Sequence, residues 1–373
     1  MPTERCPVDA AASSLSARRP EAGGVRHEST SDFVGFGRFA PSPTGDFHLG
    51  NLRTALLAWA LARNSGRGFL IRMEDLDARS RAPFVSSQLA DLEEIGIDWD
   101  GEVVFQSARR EIYRAVQAQL ADVGLLYECY CTRKELAAIA SAPHRPPGSY
   151  PGTCRNLTED QRAAGRAKLA GTGRGPALRL RADVSELAVS DDVYGTYCGA
   201  VDDMVIVRGD GVYSYNFISV LDDALQGVSQ IVRGADLLPS TPRQVHLQHV
   251  LAAVFDQYSG ALSRSAFDAD ANTIQFSPRY AHVPMVLRSD GARLAKRDGA
   301  VTLRELADLG WQTADVVQLL AASLGYADVR SAREFAQSVQ RYGVPPVDWY
   351  LDPDILRGSP NEAIQMTLSA SHH

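Results

Sequence analysis

The feature that most restricts the fold is a strand–turn–helix–strand run over residues 33–75. Phe33 to Phe39 mix apolar residues with glycine, as a short buried strand does. Leu52, Ala55, Leu56 and Trp59 mark one face of a helix over Leu52 to Ala62, and Gly66 suits its stop. Gly68-Phe69-Leu70-Ile71-Arg72-Met73-Glu74-Asp75 then reads as a second strand. Strand, helix and strand in so short a span make a βαβ unit, with parallel strands and a right-handed crossover. The turn after the first strand, Ala40-Pro41-Ser42-Pro43-Thr44-Gly45-Asp46-Phe47, ends in His48 at the helix start. Such a helix start presents backbone N–H groups and the positive end of its dipole to an anion.

The alternation continues with helices expected at 84–96, from Val85, Leu89, Leu92 and Ile95, and at 109–124. From 127 to 200 the character changes to cysteines, prolines, Gly-rich turns and short pieces such as Ala177-Leu178-Arg179-Leu180, which suggests an inserted subdomain. Asp203 to Arg208 is expected to restart the strand pattern, with helices at 216–226 and 240–254. Segment 256–277 is polar and irregular, as a surface insertion is. Beyond 300 the pattern is helical, through Leu303, Leu306 and Leu309 and then Val316, Val317, Leu319 and Leu320. The expected class is α/β: a sheet in two halves, 35–126 and 201–290, an insertion over 127–200, and a short helical region over 291–373. An open sheet of this kind binds ligands at the carboxyl ends of its strands, where the strand order switches.

A net charge of −7 gives no sign of nucleic-acid binding through overall charge, while a local basic face would still hold phosphates. Of the 38 basic residues only Lys134, Lys168 and Lys296 are lysine, so Lys296 stands out against an arginine bias. No run of about 18 apolar residues exists, so no membrane partner is expected. Residues 1–34 are polar and lack the apolar core of a signal peptide, and they read as a disordered tail on a cytoplasmic chain. With no apolar helix stripe left over, a monomer is expected. Cys129, Cys131 and Cys154 fall within 26 residues, a spacing that suggests zinc rather than a disulfide. Structural zinc takes four ligands, and the fourth here is either His144 or Tyr150.

Four segments together resemble the class I aminoacyl-tRNA synthetases, and within them the glutamate-specific branch. Arg38 to Gly50 is similar to that branch's first signature, with His48-Leu49-Gly50-Asn51 in place of His-Ile-Gly-His. Arg293-Leu294-Ala295-Lys296-Arg297 resembles the second signature, Lys-Met-Ser-Lys-Ser, with Ala295 replacing its serine. Leu70 to Asp77, and Val220-Leu221-Asp222-Asp223 with Val232-Arg233-Gly234-Ala235-Asp236, match glutamyl synthetase strands. The resemblance covers roughly residues 35–345 and implies a Rossmann-like catalytic domain that joins an amino acid to ATP.

By that resemblance His48 and Lys296 are catalytic, and His48, Gly50, Asn51 and Lys296 contact ATP, which arrives as its Mg2+ complex. Arg38, Phe39, Ala40, Pro41, Ser42, Glu74, Tyr215 and Arg233 would bind L-glutamate, with Arg233 on the side-chain carboxylate and Glu74 on the ammonium. Cys129, Cys131, Tyr150 and Cys154 fit the family's Cys-x-Cys … Tyr-x3-Cys arrangement, which implies Tyr150 as the fourth ligand to one structural Zn2+. Too little chain follows Arg297 for a full anticodon-reading domain. A shortened chain with this cysteine pattern resembles the glutamyl-Q tRNA(Asp) synthetase family. That family activates glutamate without tRNA and attaches it to the queuosine base at the wobble position of tRNA(Asp). Two other readings are a conventional glutamyl-tRNA synthetase core and a non-catalytic RNA-binding paralogue.

Overall fold

A computed structural model describes residues 34–132, 134–136, 149–257, 274–292 and 301–371. Strand β1 (Phe36–Phe39) leads through the proline-rich turn into α1 (Leu49–Asn64), and β2 (Gly68–Met73) returns beside β1 in parallel, as expected. Helix α1 is apolar on most sides, with Leu49, Leu52, Leu56 and Leu57 fully buried between the sheet and the C-terminal helices. Gly37 lets α1 settle on β1, since a Cβ there would lie 2.6 Å from that of Ala62. Next come α2 (Ala82–Glu94), β3 (Val104–Phe105) and α3 (Arg110–Asp122), with β3 parallel to β2.

The middle of the chain supplies β4 (Leu126–Cys129), α4 (Glu159–Leu169), β5 (Ala177–Leu180), β6 (Glu186–Asp191), β7 (Gly195–Ala200) and β8 (Val205–Val207). After it come α5 (Tyr215–Leu225), β9 (Val228–Gly234), α6 (Thr241–Gln257) and β10 (Arg279–Val283). The C-terminal region holds β11 (Val286–Leu287), α7 (Leu303–Asp308), α8 (Thr313–Ala322), α9 (Ala332–Tyr342), β12 (Trp349–Tyr350) and α10 (Pro360–Ser371).

The main sheet has seven strands in the order β3-β2-β1-β9-β10-β6-β7, and every neighbouring pair is parallel except the β6–β7 hairpin. The order reverses between β1 and β9, so their carboxyl ends flank the switch point at which such sheets bind ligands.

Three expectations change. Asp203 to Arg208 does not restart the main sheet: β8 pairs with β5, Leu178↔Val207, in a separate antiparallel sheet with β4. The apolar run Val205-Ile206-Val207 dictates a strand but carries no information on which sheet receives it. Conversely β6 and β7, read as part of the insertion, extend the main sheet, with β6 meeting β10 at Tyr280↔Asp191. Nor is the region beyond 300 wholly helical, because β12 pairs with β11 and ties that region to the ligand edge. Residues 1–33 and 258–273, expected as the tail and most of the surface insertion, lie outside the described residues. No helix among the described residues is long and apolar enough to cross a membrane.

Candidate active site

The turn after β1 is held by backbone hydrogen bonds, by the Gln88 side chain and by the buried ring of Phe47. Glu74 N–H donates to Pro41 O at 2.8 Å, and Arg81 N–H donates to Pro43 O at 3.0 Å. Gln88, buried on α2, donates to Gly45 O at 2.7 Å and Ser42 O at 3.2 Å. Phe39 is buried edge-on to Phe47, with ring centroids 5.6 Å apart, while Ala40 is half-buried, Pro41 buried and Ser42 exposed.

His48 caps α1. Its Nδ1 accepts from Gly50 N–H at 3.1 Å, and its own N–H donates to Asn51 Oδ1 at 3.2 Å. This reciprocal cap satisfies two backbone donors that a helix start otherwise leaves without partners. It also fixes the imidazole: with Nδ1 accepting, the neutral ring carries its proton on Nε2. Gly50 makes room for the ring, since a Cβ there would lie 3.0 Å from both His48 Cε1 and Nδ1. Asn51, expected at ATP, thus has a capping partner on its own chain.

Beneath the turn lies a buried network of charge. Arg38 donates through Nε and Nη2 to the two carboxylate oxygens of Asp223, at 3.1 and 3.3 Å, and through Nη1 to Val232 O at 3.1 Å. Arg72, fully buried on β2, donates to Asp223 Oδ1 at 2.7 Å, Gln226 Oε1 at 2.8 Å, Ser219 Oγ at 3.3 Å and Glu74 Oε1 at 3.4 Å. Burial pushes the Glu74 carboxyl up to about 7, against the pull of the Arg72 and Arg38 cations. Burial would raise Asp223 too, but the same two cations hold it below the usual carboxylate range. Asp222 braces the neighbouring elements, accepting from Arg109 Nε at 2.7 Å, Tyr113 OH at 2.7 Å and Gln106 Nε2 at 3.1 Å.

Arg233, at the end of β9, is arranged differently. It is 6 % exposed, and each of its nitrogens meets a neutral acceptor. Nη1 donates to Gln244 Oε1 at 2.6 Å, Nη2 to Thr241 Oγ1 at 2.8 Å and Nε to His282 Nε2 at 3.0 Å. Its guanidinium also lies 5.4 Å from the Tyr280 ring centroid. Arg38 is thus directly neutralised by a carboxylate, whereas Arg233 has no carboxylate partner among the described residues. Tyr215, at the start of α5, stands in electrostatic reach of Glu74, Arg233, Arg38 and Asp223. Around Tyr215, therefore, an anchored cation and an acid of raised pKa face one side chain, while the turn after β1 leads to the capped helix start.

Some distance along the chain, the sulfurs of Cys129, Cys131 and Cys154 lie within 4.8 Å of one another. Tyr150 joins them, its hydroxyl oxygen 3.4 Å from Cys129 Sγ and accepting from Cys154 N–H at 2.8 Å. A tetrahedral zinc with Zn–S bonds of about 2.3 Å spaces its sulfurs about 3.8 Å apart. The Cys131–Cys154 separation of 3.7 Å fits that edge. Arg179 stacks its guanidinium 3.6 Å over the Tyr150 ring, placing a cation beside ligands that must be anionic to bind metal. His144, the other candidate ligand, lies outside the described residues.

With this geometry in hand, the comparisons with known proteins are direct. Residues 36–271 match the model of the class I tRNA synthetase (E and Q) catalytic domain. The chain is 50% identical to the glutamyl-Q tRNA(Asp) synthetase of Nocardia farcinica over 317 residues, covering 85% of this chain and 93% of that one. It is 42% identical to the protein of that name from Cutibacterium acnes, over 90% of this chain and 88% of the relative. The chain belongs to the glutamyl-Q tRNA(Asp) synthetase family. Its fold is also that of a glutamate tRNA ligase from Elizabethkingia meningosepticum, with a TM-score of 0.61 at 23% identity, covering 88% of this chain and 68% of that one.

For this member of the glutamyl-Q tRNA(Asp) synthetase family, the second signature Arg293 to Arg297, with Lys296, lies outside the described residues. The chain approaches it from β11, where Val286 Cβ would lie 3.6 Å from a Cβ on Gly50 of the first signature. Charged or titratable residues around the site that were not singled out from sequence are Arg72, Arg109, Asp191 and His282. Arg72 carried a usable signal, because an arginine amid Leu70-Ile71 and Met73 in a strand must be buried with a partner. Asp191 and His282 carried none, since they meet only through the edge pairing of β6 with β10.

Proposed function

We propose that this chain activates L-glutamate with ATP in the absence of tRNA and transfers the glutamyl group to the queuosine base of tRNA(Asp). The observation that supports the glutamate pocket most strongly is Arg233, a buried cation anchored by three neutral groups. A ligand carboxylate would meet its remaining N–H groups as a charge-assisted pair, the kind of contact arginine's planar fork favours. Glutamine would bring an amide to that cation and leave it without a counter-charge, which costs about 2–5 kcal/mol in a desolvated site. Glu74 would hold the substrate ammonium, with Tyr215 closing one side of the pocket.

The chemistry is attack of a glutamate α-carboxylate oxygen on the α-phosphorus of ATP, breaking the bond to pyrophosphate and forming glutamyl-adenylate. No covalent bond to the protein is needed, so rate comes from positioning and charge stabilisation. His48, with its proton on Nε2, donates toward the phosphate oxygens as negative charge grows. Lys296 neutralises the departing pyrophosphate of the Mg2+–ATP complex. In the second step a hydroxyl of the modified base attacks the acyl carbon and releases AMP. A Zn2+ held by Cys129, Cys131, Tyr150 and Cys154 would supply a structural cross-link between β4 and the segment around Tyr150.

The test is glutamate-dependent exchange of pyrophosphate into ATP with all tRNA removed. Exchange above background supports the reading. Exchange only after tRNA is added points to a conventional glutamyl-tRNA synthetase core, and silence in both conditions points to a non-catalytic RNA-binding protein.

A further inference from the structure

Behind Arg233 stands a second layer of hydrogen bonds centred on His282, whose Nε2 also lies 3.1 Å from Thr241 Oγ1. The arginine Nε–H occupies His282 Nε2 at 3.0 Å, so the fully buried imidazole keeps its own proton on Nδ1. Nδ1–H points at Asp191 Oδ2, 2.6 Å away. That same oxygen accepts the His282 backbone N–H at 2.9 Å, and Asp191 Oδ1 accepts from Val193 N–H at 3.0 Å and Tyr194 N–H at 2.9 Å. Four donors therefore converge on one carboxylate that is 4 % exposed. Burial and the Arg233 charge keep His282 below the usual imidazole range, in keeping with a neutral ring.

We infer that Asp191 and His282 are positioning residues that set this pocket's preference for a carboxylate, by holding Arg233 through one imidazole tautomer while keeping the counter-charge one residue away. The inference rests on Arg233 being the reader of the substrate's side-chain carboxylate. Its physical content is a comparison within the molecule. Arg38 touches Asp223 directly and is neutralised there. Arg233 is separated from Asp191 by the width of a neutral ring, so its guanidinium is compensated enough to stay buried yet, among the described residues, is not paired with an acid of its own. The β6–β7 hairpin has a role here, since Asp191 reaches the pocket only because β6 pairs with β10 at Tyr280.

The donor count makes the test sharp. Asn in place of Asp191 has one oxygen where four donors arrive. If that oxygen keeps Val193 and Tyr194, its NH2 faces the imidazole and drives the proton onto Nε2, against Arg233 Nε–H. In pyrophosphate exchange, Asp191→Asn is expected to raise the KM for glutamate about tenfold or more, with the KM for ATP unchanged and the preference over glutamine reduced. His282→Leu removes the acceptor and should do the same. His282→Gln restores an acceptor oxygen and should recover most of the loss.

A native-like glutamate KM in Asp191→Asn, equal losses in His282→Leu and His282→Gln, or a rise shared equally by glutamate and ATP would overturn the inference. Should Asp191→Asn fail to fold, judged by thermal unfolding, the Leu-against-Gln pair at 282 decides the matter. Arg233→Met is the separate control. If it leaves the glutamate KM alone, the reading of the pocket falls; if it abolishes glutamate use while the variants at 191 and 282 behave as native, only the inference falls.

Discussion

Glu74 ties glutamate binding to pH. Its carboxyl sits at 8 % exposure and titrates at about 7, because burial outweighs the stabilising pull of Arg72 and Arg38. A carboxylate holds an ammonium only when ionised. With a pKa near 7, about one tenth of the free protein carries ionised Glu74 at pH 6, half at pH 7 and about nine tenths at pH 8. Glutamate's own groups do not change charge in that window. The groups facing Glu74 are Arg72, Arg38, Asp223, Asp222 and Tyr215, with Asp223 held low by the Arg38 and Arg72 cations against its burial. The sign follows: the raised pKa means that affinity is lost as pH falls through 7, and the apparent KM for glutamate at pH 6 should be about tenfold that at pH 8. Glu74→Gln removes the titrating group. It should flatten the profile and raise the KM at pH 8 by roughly 30- to 160-fold, the loss of a charged hydrogen bond of about 2–3 kcal/mol. The assay is pyrophosphate exchange at saturating ATP across pH 6 to 8. A flat native profile, or a Glu74→Gln variant that keeps the native slope, would refute the assignment.

Other outcomes follow from the same geometry. Gly50→Ala would drive a methyl into the His48 ring at 3.0 Å, and should lower kcat for exchange about 10- to 100-fold while leaving the KM for glutamate within about threefold. Asp222→Asn would turn an amide N–H toward at least one of the donors Arg109, Tyr113 and Gln106, and should cost about 3 kcal/mol, read as a fall in Tm of roughly 4 °C. Purified protein should carry close to one zinc per chain, and Cys154→Ser should lose most of it and unfold at a lower temperature; a metal-free native protein of unchanged stability would contradict the site. Lys296→Ala should reduce exchange at least about 100-fold without shifting the glutamate KM, since a lysine on the leaving pyrophosphate acts in the transition state.

The parts of the fold that were legible in the sequence are those where a local pattern meets a local constraint. Leu52, Ala55, Leu56 and Trp59 repeat at helical spacing, and a helix between two apolar strands forces parallel pairing, so β1, α1 and β2 could be written down in order. The cysteine cluster was legible for a similar reason: Cys129, Cys131 and Cys154 advertise themselves by type and spacing, and the Tyr150 position came with the family resemblance. Sheet membership was not legible. Val205-Ile206-Val207 and the stretch from Glu186 to Ala200 each form strands, yet their partners are set by long-range packing, and both joined a sheet other than the one expected. The same limit hid Asp191 and His282. They are 91 residues apart, and neither looks unusual in its neighbourhood. Arg233 could be named from a motif, but the neutral character of its partners, which sets it apart from Arg38, exists only in three dimensions.

The most direct test of the central claim is to offer labelled glutamate and ATP to the protein with two forms of tRNA(Asp), one carrying queuosine and one lacking it, and then to cut the product into acceptor and anticodon fragments. The account predicts label on the queuosine-bearing tRNA alone, confined to the anticodon fragment. Label at the acceptor end, or equal label on both tRNAs, would contradict it.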